Sequence, residues 1–205
     1  MSAAVSPGSH LVSVSAAGYA WSLAVGAAAF ACIWFFGRTG EAPRPAGRVR
    51  SSRLAAVAWG FATGVAGAVV VTALAPPEGM TGAVLVRWWW LMRHGSPGAT
   101  GALLLVVAGV PLAAEAAFRG TLLPATVTVA EFAPAAAATS VLFGAVWPTA
   151  GGWAAGCALG IIAALCYRRT GRMLAPIVTD IVASAGFVAA AVLLAPRLAP
   201  YLPWH

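Results

Sequence analysis

Apolar runs about as long as a bilayer is thick recur along this chain, and they constrain its fold more than any other feature. A helix crossing the hydrocarbon core needs about 20 mostly apolar residues, and fewer where neighbouring helices shield it. Such runs lie at roughly 17–36, 54–75, 100–117, 135–149, 152–167 and 174–195. They predict an all-α, polytopic transmembrane helix bundle of about six spans. The composition agrees: 61% of residues are hydrophobic, 8% are charged and the mean hydropathy is +0.88, far from soluble usage. Residues 1–205 are expected to form one membrane domain.

The breaks between runs are rich in Arg, Pro and Gly. All twelve basic residues are Arg, against Glu41, Glu78, Glu115, Glu131 and Asp180. Nine of them (Arg38, Arg44, Arg48, Arg50, Arg53, Arg119, Arg168, Arg169 and Arg172) fall on one side of the expected spans, and three (Arg87, Arg93 and Arg197) on the other. Because cytoplasmic loops carry the basic excess, loops 37–53 and 168–172 are expected in the cytoplasm and both termini outside. The N-terminus lacks the positive region of a cleavable signal, so the first run is expected to stay in the mature chain. Trp88, Trp89 and Trp90, flanked by Arg87 and Arg93, suit a short interfacial helix near residues 82–94. Residues 120–134, interrupted by Pro124 and Pro134, read as a connector in the interface. The arginines lack the alternation with aromatics that a nucleic-acid groove needs, so no nucleic acid is expected as partner.

Chemistry inside the spans is sparse. Glu115 and Asp180 are the intramembrane acids, and Arg119 follows Glu115 by four residues, which puts both on one helix face. A mid-bilayer carboxylate costs about 2.5–3.5 kcal/mol on insertion scales, so each acid calls for a partner. A structural ion pair or triad is the simplest arrangement. His10, His94 and His205 lie in loops or at the ends, and Cys32, Cys157 and Cys166 lack metal-type spacing. No metal or other cofactor is expected, and the cysteines read as buried free thiols. Ser140 and Ser184 have no nearby His or Lys to activate them. Gly60 and Gly64 on the second run, and Gly152, Gly156 and Gly160 on the fifth, offer flat stripes for helix packing.

Three motifs in order resemble the CPBP (CAAX-protease and bacteriocin-processing, or Abi) family of intramembrane endopeptidases. The family's E-E-x-x-x-R stands here as Ala114-Glu115 through Phe118-Arg119; its F-x-x-x-H as Phe143 through Trp147; and its H-x-x-x-N or H-x-x-x-D as Asp180 through Ser184, after a CYRRTGRMLAP lead-in. The resemblance covers about residues 100–190. It implies that the first Glu activates the attacking water and that the two His bind a metal or stabilise the oxyanion. Those places hold Ala114, Trp147 and Asp180, with Ser184 for the final Asn. Alanine can neither take a proton nor coordinate, and indole donates one hydrogen bond and accepts none.

The resemblance therefore implies a bacterial plasma-membrane protein that keeps the scaffold and has lost the reaction. It would act as a binding, accessory or scaffold subunit, with the lipid bilayer and either another membrane protein or a membrane-bound peptide as partners. The alternative is a divergent endopeptidase in which Glu115 and Asp180 split base and acid roles beside Arg119. A third reading, a proton-coupled carrier with the two acids as relays, lacks the inverted repeats such folds use.

Overall fold

The computed structural model describes residues 51–75, 80–145 and 150–193. The expected span at 17–36, most of the loop at 37–53, Arg197, Cys32 and Trp147 lie outside the described residues. Among those described, six helices and no strand form: α1 (Arg53–Leu74), α2 (Met80–Arg93), α3 (Pro97–Val127), α4 (Phe132–Ala145), α5 (Ala150–Thr170) and α6 (Leu174–Leu193). The fold is an all-α membrane bundle. Three helices, α1, α3 and α6, are long and apolar enough to cross a bilayer, while α4 is apolar and shorter.

Local chemistry sets the helix ends. Ser52 caps α1 by accepting a 3.1 Å hydrogen bond from the Ala55 amide. Ser96 caps α3 in the same way, followed by Pro97 at the first position, where a missing N–H costs nothing. At the end of α5, Gly171 takes a φ of 64° and its amide donates to the Tyr167 carbonyl at 2.8 Å, the left-handed stop that glycine tolerates best.

The sequence reading ended the third span at residue 117 and placed Arg119 in a loop at the membrane edge. Instead α3 runs unbroken to Val127, so 120–127 is helix rather than connector, and Arg119 is fully buried within it. Two π turns explain how the helix survives its prolines. One, Leu105–Gly109, precedes Pro111, and the other, Phe118–Leu122, precedes Pro124. A proline inside a helix presses on the carbonyl four residues back and supplies no N–H. A widened turn relieves both faults locally. The Thr121 hydroxyl donates to the Ala117 carbonyl at 2.7 Å, satisfying backbone at the second of these turns.

Glycine lets α1 lie along α6. An added Cβ on Gly60 would meet the Ala175 carbonyl at 2.5 Å, and one on Gly64 would meet Val182 Cβ at 2.6 Å. In a bilayer, where lipid tails are as apolar as Leu, this close backbone approach is what holds helices together. The α4–α5 hairpin uses the same device, with Gly144 against Cys157 and Gly160 against Ser140. Helix α2, over the segment read as interfacial, packs Trp89 and Met92 against the core formed by Leu103, Phe143, Leu159 and Phe187, and its Val86 is buried. Arg93 lies over the Trp89 ring at 4.7 Å.

Candidate functional site

Glu115 and Arg119 come from adjacent turns of α3, Ser140 and Phe143 from α4, Gly160 from α5 and Asp180 from α6. Burial is complete or nearly so: Glu115, Arg119 and Ser140 are 0% exposed and Asp180 is 2% exposed. Arg119 Nη1 donates to Glu115 Oε1 at 2.6 Å, the expected i,i+4 pair. Its Nη2 donates to the Gly160 carbonyl at 2.5 Å. That carbonyl is reachable because Gly160 has no side chain to hold α5 away from Ser140.

Two aromatic rings complete the arginine's enclosure. Phe143 presents its face to the guanidinium at 4.6 Å, and Phe118 meets Phe143 edge-on at 5.3 Å. A desolvated cation over an aromatic face gains about 2 kcal/mol. The family-like Phe118 and Phe143 thus have a physical task, to shield Arg119 while stabilising its charge.

Asp180 does not complete an ion triad. It lies against Glu115 and within the field of Arg119, yet neither of its oxygens has a hydrogen-bond donor. Glu115 Oε2, Arg119 Nε and the Ser140 hydroxyl are likewise buried without a partner. Two facing carboxylates can bond only when one carries a proton. The expected triad is therefore a pair plus a third acid, with three carboxylate oxygens left over.

Ala114, where the motif would place the first Glu, packs into the apolar core with Phe143, Leu159 and Phe187. Ser184 is half-buried on α6, one turn beyond Asp180. Glu115, Phe118, Arg119, Phe143 and Asp180 of the motifs come together, and Trp147 lies outside the described residues. Sequence reasoning treated Gly160 as packing alone and dismissed Ser140 as an unactivated nucleophile. Their position beside Arg119 had one available signal, small residues on two successive helices facing a charge that needs acceptors.

Residues 96–186 match the family model described as Type II CAAX prenyl endopeptidase Rce1-like. Over this stretch the chain is similar to the CPBP family. No curated protein and no solved structure gives a match. The matched stretch runs from the cap of α3 to Gly186 in α6, so it contains every residue of the buried cluster. The metal that the CPBP resemblance implies does not suit these residues. The acids present are Glu115 and Asp180, with a guanidinium already on one of them, and no group of three His, Cys, Asp or Glu forms among the described residues. A cation on that site would have to displace Arg119 and find its remaining ligands without an imidazole.

Proposed function

We propose that this chain is a catalytically degenerate CPBP-family membrane protein that works by binding, as an accessory or scaffold subunit of a membrane assembly. The observation that carries this reading is the closed Glu115–Arg119 pair, fully buried at 2.6 Å, beside an alanine where the motif calls for a second acid. A general base must reach the proton it abstracts directly or through one water. Here one oxygen of the surviving Glu is taken by Arg119 and the whole side chain is buried away from solvent, and Ala114 has no group to offer. The pair locks α3 to α5 through the Gly160 carbonyl, which is a scaffold's task. The partner would be another membrane protein or a membrane-bound peptide.

A second reading, a divergent endopeptidase, has one observation in its favour. Glu115 Oε2 and both Asp180 oxygens are buried together without donors, and paired carboxyls in unlike surroundings can divide acid and base roles. The two readings separate in one assay. Purified chain in detergent or nanodiscs is incubated with a prenylated CAAX peptide and with a peptide library, and products are followed by mass spectrometry. No cleavage is expected from the wild type. Turnover that disappears in both Glu115→Gln and Asp180→Asn would overturn the degenerate reading in favour of the second.

A further inference from the structure

Among the described residues, the buried side chains with a formal charge are two acids, Glu115 and Asp180, and one base, Arg119. Fully ionised, they would leave an uncompensated negative charge inside an apolar bundle. Burying a carboxylate without partners is so costly that the group takes up a proton instead, and two carboxyls sharing one site do not both ionise.

The contacts show where such a proton would sit. Glu115 Oε1 is taken by Arg119 Nη1, but Glu115 Oε2 and both Asp180 oxygens have no donor. Asp180 and Glu115 lie against each other. The surrounding helices offer nothing else to these oxygens. On α3, Arg119 Nη2 is engaged by the Gly160 carbonyl, and Arg119 Nε, like the Ser140 hydroxyl of α4, reaches none of the three. On α1, the Thr63 hydroxyl bonds the Trp59 carbonyl and the Thr179 hydroxyl, and on α5 the Cys166 thiol meets Thr63. On α2, Arg93 is stacked over Trp89. A proton on either acid creates the missing donor: its O–H bonds the facing carboxylate oxygen and satisfies two of the three atoms at once.

We propose that the cluster stores one proton, held between Glu115 and Asp180, which leaves the buried core with no net charge. The number of protons stored then equals acids minus bases, a relation that a merely structural triad would not obey. This stored proton is independent of whether the chain binds peptides or cleaves them.

The test is SDS unfolding of the purified full chain in mixed micelles, repeated from about pH 5 to about pH 8, where exposed carboxyls have released their protons. The native state then holds one proton more than the unfolded state, so stability falls as pH rises, and the unfolding constant should climb about tenfold per pH unit. Asp180→Asn and Glu115→Gln each leave one acid for one base, and each should flatten that slope. Arg119→Gln leaves two acids and no base and should steepen it to about a hundredfold per unit. Infrared spectra at about pH 7 should show the C=O stretch of a protonated carboxyl in the wild type and not in Asp180→Asn or Glu115→Gln. A flat wild-type profile, a slope unchanged by Asp180→Asn, or a wild-type spectrum without the protonated band would overturn the proposal. Should a variant fail to fold, the wild-type slope and band decide the matter by themselves.

Discussion

Replacing Arg119 by Met is the sharpest test of what the buried cluster does for the fold. The substitution keeps most of the side-chain volume and removes the charge, so it deletes three interactions: the bond to Glu115 Oε1, the bond to the Gly160 carbonyl and the contact with the Phe143 face. Each charge-assisted bond contributes about 1.5–3 kcal/mol and the cation–π contact about 2 kcal/mol. Their sum overstates the loss, because removing the guanidinium also removes its own desolvation penalty. Breaking a buried pair by deleting one partner costs about 3–5 kcal/mol, and that is the expected destabilisation. The cluster's formal inventory explains the sign: two acids share one base, and Arg119→Met leaves Glu115 and Asp180 facing each other without it. Adding Glu115→Gln and Asp180→Asn to Arg119→Met should therefore recover about half of the loss. Reversible unfolding in mixed micelles, titrated with SDS and followed by circular dichroism, measures all of these variants on one scale. The reasoning fails if Arg119→Met lies within about 0.5 kcal/mol of wild type, or if the triple variant is no more stable than Arg119→Met alone.

Two further outcomes follow from the packing. Gly160→Val would drive a Cβ to 2.9 Å from Ser140 Cβ and displace the carbonyl that receives Arg119, so it should cost about 1–3 kcal/mol in the same titration, with Arg119→Met adding less in this background than alone. Gly171→Ala, at a φ of 64°, should cost about 1–2 kcal/mol, seen as a lower detergent melting temperature with helix content unchanged.

Much of this architecture was legible from hydropathy alone, because a bilayer leaves few ways to satisfy a backbone. The helices Arg53–Leu74 and Leu174–Leu193 follow directly from uninterrupted apolar runs, and the i,i+4 spacing of Glu115 and Arg119 gave their pairing. The course of α3 beyond residue 117 was not legible. An Arg and a Pro within six residues read as a span's end, yet the guanidinium is absorbed by partners contributed from α4 and α5, and the proline by a π turn. Both compensations are tertiary, and a single run of residues cannot announce them. The same limit applies to Asp180, whose neighbour could be Glu115 or Arg119 on sequence grounds and is decided by how α6 meets α3.

The tie at Ser51 reaches further than one loop. Its amide and hydroxyl both donate to the Thr170 carbonyl, and its own carbonyl accepts from Arg172 Nε, so α1 and α6 set out from one common face and run in parallel, as the rising pairs Gly60–Ala175 and Gly67–Ala183 confirm. Parity then dictates the remaining passes. If α1 departs from that face and α5 returns to it, α3 must come back, α4 must go out again, and α2 contributes no net crossing. The 14 described residues of α4 span only about 21 Å, less than the hydrocarbon layer of about 30 Å. The bilayer must therefore thin beside it, or protein must cover its ends.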